Sequence, residues 1–259
     1  IEKHIPETPD IEVKLRQLYS LGSEDPVTTD HWSEFNNCFT RLGSALSNEP
    51  LYTAFFVDAF ETFAADGVEY VELRTGFPQL YANDGTPQPR QQAVLCFQKA
   101  LATVRQKYPD FDVRLIVSDW RGADQARLVD SFRSAVQMQK KYPDLIVGYD
   151  LVGKEDDASP TASLINVWPV LRQVCRDENA EFPELYLHDG ENSWADDQNL
   201  IDAHIFNSRR IGHGLDLYLF PALEQTFRNE QIALEICPIS NQILGYVSDL
   251  RLHPASGYI

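Results

Sequence analysis

The stretch LIVGYDLVG, residues 145–153, decides the fold. It is a short β-rich run that ends in Asp150 and Gly153, and a helical pattern over 161–179 separates it from the next such run, LYLHDGE at 185–191. Reading outward, the same unit recurs. Upstream lie VEYVELR (68–74) and DVRLIVSDW (112–120); downstream lie RIGHG (210–214) and IALEICPIS (232–240). Helical patterns over 89–107, 123–141, 196–207 and 221–229 fill the remaining intervals. Strands alternating with helices indicate parallel βαβ units, either in a doubly wound sheet or in a barrel. The barrel is preferred because most runs end in polar or ionisable residues: Glu72 and Arg74, Asp119, Asp150, His188 and Glu191, His213, then Ser240 and Asn241. A (β/α)8 TIM-type barrel gathers all its strand ends at one mouth, whereas a doubly wound sheet concentrates its ligand groups at one switch point. The predicted class is therefore α/β.

The leading third is helical in pattern, near 10–21, 31–47 and 50–65, and Asp66-Gly67 stops the last of these segments. With 259 residues, 43% of them hydrophobic, the chain matches one barrel of roughly 250 residues, and a single domain over 1–259 is the simplest reading. Six barrel strands are visible rather than eight.

Twenty-two Lys and Arg stand against 39 Asp and Glu, a formal charge of −17 that repels nucleic-acid phosphates and anionic membranes. The expected partner is a small molecule, neutral or cationic, with no nucleic acid and no membrane; a homo-oligomer is left open. No window has the roughly 18 to 20 apolar residues of a membrane span, and the opening IEKHIPETPD has no signal-peptide core. Four scattered cysteines without a CxxC pair suggest neither a zinc finger nor a redox dithiol, and the lack of an N-x-S/T acceptor favours a cytoplasmic protein, with a secreted one as the alternative. There is no G-x-G-x-x-G after a strand and no phosphate loop.

His188 alone would read as an ordinary strand-end histidine. It sits, however, in HDGE, with Glu191 three residues on, and the next strand supplies His213 between two glycines in GHG. Two histidines and a carboxylate at adjacent strand ends form a candidate site.

These blocks carry a resemblance. GYDLVGKED (148–156), LHDGE (187–191), RRIGHGLDL (209–217), LEICPISNQILGYVSDLRLHP (234–254) and DGVEYVELR (66–74) resemble the adenosine deaminase family, more closely its growth factor branch, over about residues 31–259. The resemblance implies a metal-dependent hydrolase barrel with a leading helical region at 1–66 and strands two to seven at 67–259, the first and last strands being absent from the given chain. It implies zinc as cofactor and hydrolytic deamination of adenosine or a related purine nucleoside to the 6-oxo product and ammonia. It places His188 on a zinc ligand, Glu191 on the acid that protonates the purine ring nitrogen, His213 on the histidine that orients and deprotonates the zinc-bound water, and Gly153 on a glycine whose backbone contacts the purine. Three further zinc ligands of the family, a His-x-His pair and an aspartate of an Asp-Asp pair, have no counterpart here. The alternative is a catalytically inactive barrel that serves as a binding or interaction module.

Smaller expectations follow from local context. Glu72 and Arg74 are read as an ion pair, and Asp189 as a charge pointing towards the helix layer with Lys154 as its neutraliser. Burial next to Asp189 should raise the pKa of Glu191. Cys237 is expected to be a buried residue within its strand, and His253 to serve local packing.

Overall fold

In the computed structural model, residue 13 and residues 30–156, 160–192 and 198–258 are described. The helical segment expected near 10–21 lies, save for residue 13, outside them. The chain divides into two compact units, Ile1–Ala59 with Pro78–Ala100, and Phe60–Phe77 with Leu101–Ile259.

In the first unit, helix α1 (His31–Ala45) starts at Asp30, whose carboxylate accepts the Ser33 amide at 3.1 Å. This satisfies one of the amides a helix start leaves open. Helix α2 (Glu49–Ala65) and helix α3 (Gln91–Val104) begin here, and Tyr52, Phe56 and Phe97 pack with ring centroids 4.4 to 5.6 Å apart. Such tilted and edge-on aromatic contacts add to the area they bury.

The second unit carries the strands. β1 (Tyr70–Thr75), β2 (Asp112–Trp120) and β3 (Ile146–Val152) pair in parallel in that order. β4 (His188–Asp189), β5 (Arg210–His213) and β6 (Ala233–Glu235) form a second parallel trio, also in order. The two trios meet at Tyr149, whose N–H donates to the Glu184 carbonyl at 2.9 Å and whose carbonyl accepts from the Tyr186 N–H at 3.0 Å. Six parallel strands in sequential order, joined by helices, constitute the α/β barrel arrangement expected. α4 (Gln125–Lys141), α5 (Leu164–Asp177), α6 (Asn199–Ile205) and α7 (Pro221–Glu230) are the helices between them. Phe132 and Val136 of α4 and Leu171 and Val174 of α5 are buried, as are Val113, Leu115, Leu187 and Ile211 of the strand segments. No helix among the described residues is long and apolar enough to cross a membrane.

Two boundaries differ from expectation. β4 is only two residues long, because the preceding segment spends its hydrogen bonds on β3 and the turn after Asp189 takes Gly190 to φ +72°. β6 ends at Glu235 rather than running to Ser240: Pro238 opens helix α8 (Pro238–Ile243), where its missing N–H costs nothing. Cys237 is therefore a half-buried residue ahead of a helix, with its thiol 3.3 Å from the Glu235 carbonyl, and not a buried strand residue.

The expected Glu72–Arg74 pair is replaced by a longer chain of charges. Arg210 pairs with both Glu72 and Glu235; Arg74 pairs with Glu235 at 2.5 Å and with Asp150 at 2.6 Å. Each cation bridges two carboxylates on different strands, which fixes β1, β3, β5 and β6 against one another. Arg210 also lies over the Tyr186 ring, 4.4 Å from its centroid. Because Asp150 is fully buried, removing its cation is expensive. Arg74→Met is expected to lower the free energy of unfolding by about 3 kcal/mol. Arg228→Met, at an exposed pair with Glu224 on α7, should change it by less than about 0.5 kcal/mol. Urea titration of both variants checks the difference.

Candidate active site

The site is built at the carboxyl ends of β2 to β5, on Asp150. Its carboxylate accepts the His188 backbone N–H through Oδ1 at 2.8 Å, and lies 2.6 Å from His188 Nδ1 through Oδ2. Burial alone would raise this carboxyl, but His188 and Arg74 outweigh it and hold it below the ordinary aspartate range. An ionised Asp150 only accepts, so His188 Nδ1 carries the proton and Nε2 is left as the donor atom for a ligand.

Register places Asp189 opposite His213 and His188 opposite Gly212. The His188 and His213 rings lie 5.1 Å apart between centroids. His213 has φ +69°, an unusual backbone state for a residue with a side chain, and Gly214 follows at +62°. Glu191 then reaches His213, with Oε1 3.3 Å from Nδ1.

The loop that carries Glu191 is held by Glu155. One carboxylate accepts the Gly190 N–H at 2.9 Å, the Glu191 N–H at 2.6 Å and the Asn199 side-chain amide at 2.9 Å. Gly190 has no room for a side chain, since a Cβ there would strike Asp216 Oδ1. Asp189, the unexpected charge of HDGE, is fully buried and meets Arg121 at 3.1 Å and the Thr161 hydroxyl at 2.6 Å. Its neutraliser is Arg121, from the end of β2, which also donates to the His188 carbonyl. Burial nonetheless pushes the Asp189 carboxyl well above its ordinary range. Gly153 follows β3 at φ +118°, and a Cβ on it would come within 2.8 Å of the exposed Trp120 ring. Its backbone thus lies at the same strand ends as the other three candidates.

Glu191 and His213 are buried together and titrate in reversed order. Burial, and next the Glu155 carboxylate, push Glu191 up to about 8. The neighbouring carboxylate is Glu155, not Asp189 as the sequence suggested. Burial, and next the proximity of His188 and Arg74, lowers His213 to about 3. Near neutral pH the 3.3 Å contact is therefore a neutral acid beside a neutral imidazole, not an ion pair.

Among the described residues, no three His, Cys, Asp or Glu stand where they could hold a metal ion. The donor chemistry fits one ligand only: His188 is oriented by a carboxylate on Nδ1, as metal-binding histidines are.

The sequence names His188, Glu191, His213 and Gly153 as candidates, which the structure places at neighbouring strand ends, and offers Asp150 only as a polar strand end. It misses Arg121 and Glu155, whose contacts span 68 and 36 residues.

Comparison with known proteins agrees with this architecture. The family model described as adenosine deaminase matches residues 21–259. Adenosine deaminase of Aedes albopictus is 32% identical over 254 residues, 95% of this chain and 46% of its own length. Adenosine deaminase 2 of Sus scrofa is 32% identical over 263 residues, 98% of this chain and 51% of its own. The chain thus spans about half the length of the curated relatives it matches. Adenine deaminase of Arthrobacter aurescens superposes with a TM-score of 0.68 at 20% identity, covering 99% of this chain and 71% of that one. An amidohydrolase of Burkhoderia ambifaria with bound zinc superposes at 0.67 with 16% identity, covering 95% and 63%. These two likenesses bear on the fold.

The reversed titration sets a pH signature. Unfolded, a glutamate ionises near 4.5 and a histidine near 6.5; folded, Glu191 keeps its proton to about 8 and His213 stays bare down to about 3. Between 4.5 and 6.5 both states hold one proton on the pair, so its contribution to stability is flat. From 6.5 to 8 the folded state binds the extra proton, and stability falls as pH rises. From 4.5 to 3 the unfolded state binds it, and stability falls as pH drops. Denaturant unfolding across this range, with a chelator present, is expected to lose the alkaline limb in Glu191→Gln and the acid limb in His213→Asn.

Proposed function

The chain belongs to the adenosine deaminase family, and on that footing we propose that the full-length protein hydrolytically deaminates adenosine or a related purine nucleoside, releasing ammonia and leaving the 6-oxo purine. One observation carries the reading: a glutamic acid that keeps its proton to about 8 stands 3.3 Å from a histidine that stays neutral. When a nucleophile adds to the purine carbon bearing the amine, electrons move onto the adjacent ring nitrogen. That nitrogen must be met by a proton, and Glu191 is the acid assigned to supply it. Its acidity suits the task, since a group that holds its proton at neutral pH can still release it to a nitrogen made basic in the transition state. His213 is assigned to the attacking water, and the backbone of Gly153 to the purine.

Zinc is the metal assigned to the full-length protein, with His188 Nε2 as one ligand. The likeness to the zinc-bound amidohydrolase supports this choice, as does the carboxylate on His188 Nδ1. When bound, zinc lowers the pKa of its water to about 7. The chain's own residues do the rest. Asp150 keeps His188 in one tautomer and orientation, Glu155 fixes the loop that aims Glu191, and burial keeps the Glu191 proton in place.

The expected result is stoichiometric zinc and ammonia release from adenosine, both lost after chelation and restored by added zinc. Glu191→Gln should lower kcat by about 100-fold to 10,000-fold while nucleoside still binds. A metal-free protein that binds nucleoside without turnover would favour the binding-module alternative instead.

A further inference from the structure

His213 belongs to a hydrogen-bonded chain that reaches beyond the residues given roles above. The Ala255 N–H donates to His253 Nδ1 at 3.1 Å. A backbone amide can only donate, so His253 Nδ1 is an acceptor and the proton of that neutral ring sits on Nε2. His253 Nε2 lies 3.1 Å from Asn241 Oδ1, to which it donates. This orients the Asn241 amide, because the opposite orientation would leave His253 accepting on both nitrogens, which neutral imidazole cannot do. Asn241 then turns its NH2 group to His213 Nδ1 at 3.3 Å. His213 must accept there. Asn241 and His253 are both buried, at 1% and 6% exposure, so water does not scramble the order.

We propose that Asn241 and His253 are positioning residues that fix His213 in its Nε2–H tautomer. A single backbone amide, three links away, thereby decides which nitrogen of the site histidine carries the proton. The chain is carried by structure that follows β6: α8 supplies Asn241, and the turn Leu250–Leu252 ends at His253. The consequence for chemistry is specific. At rest His213 turns an N–H, not a lone pair, to whatever meets Nε2, so it orients the attacking water as a hydrogen-bond donor. Its lone pair, on Nδ1, faces Glu191 and Asn241. This assignment of a role in turnover rests on the deaminase reading; the tautomer itself does not.

The test is a long-range proton–nitrogen correlation spectrum of the full-length protein labelled with nitrogen-15 histidine, with His213 assigned by its loss in His213→Asn. The parent is expected to show a bare Nδ1 and a protonated Nε2. Asn241→Asp, equal in size but unable to donate when ionised, should move the proton to Nδ1. His253→Phe should mix the two tautomers, and His253→Gln, which keeps a donor facing Asn241, should restore the parental pattern. Kinetically, Asn241→Asp and His253→Phe should lower kcat by about 10-fold to 100-fold with KM little changed, and His253→Gln should recover most of it. A protonated Nδ1 in the parent overturns the proposal, as does a tautomer unmoved in His253→Phe. If Asn241→Asp does not fold, the His253 pair decides. Should the parent release no ammonia, the deaminase reading fails while the spectrum still answers the question of the tautomer.

Discussion

A single buried carboxylate, that of Asp150, is the interaction on which the site depends. It stands near the end of β3, where one strand trio meets the other, and it binds both the backbone and the ring of His188 while sharing Arg74 with Glu235. An aspartate with no solvent exposure would be untenable alone. Here three partners keep it ionised, so a charge buried at the seam is tolerated and gives direction. The ring of His188 cannot rotate without breaking a 2.6 Å contact, and β1 cannot slide without stranding Arg74.

The same physics works in the opposite sense at the ends of β4 and β5. Glu191 and His213 are also buried, but neither has a strong partner of opposite charge, so burial neutralises both. Within one set of strand ends there is thus an ionised acid, Asp150, and a protonated one, Glu191. What separates them is the company of Arg74 and His188 in the first case and of Glu155 in the second. The site obtains two kinds of carboxyl from one chemical group by choosing the neighbours.

Much of this was legible in the sequence. The alternation of β-rich runs and helical patterns gave the strand order, because period and turn residues are local properties. His188, Glu191 and His213 were legible for the same reason, each being flagged by glycines at a strand end. Long-range pairing was not legible. Asp189 looked like a misplaced charge because Arg121, its counter-ion, is 68 residues away in the chain, and Glu72 was paired with its neighbour Arg74 when its partner is Arg210. His253 read as packing since nothing near it in sequence indicates that Asn241 folds back over it. The early end of β6 could have been read from Pro238, whose preference for the first helical turn is local.

Glu155 has a consequence for how such a site changes over time. Its oxygens hold the Gly190 and Glu191 amides, and its charge helps keep the Glu191 proton on. Placement and acidity are thereby inherited as one trait. A substitution that loosens the loop also makes the acid stronger, so a lineage cannot trade reach for proton affinity at this position, and any retuning has to come from residues that touch only one of the two.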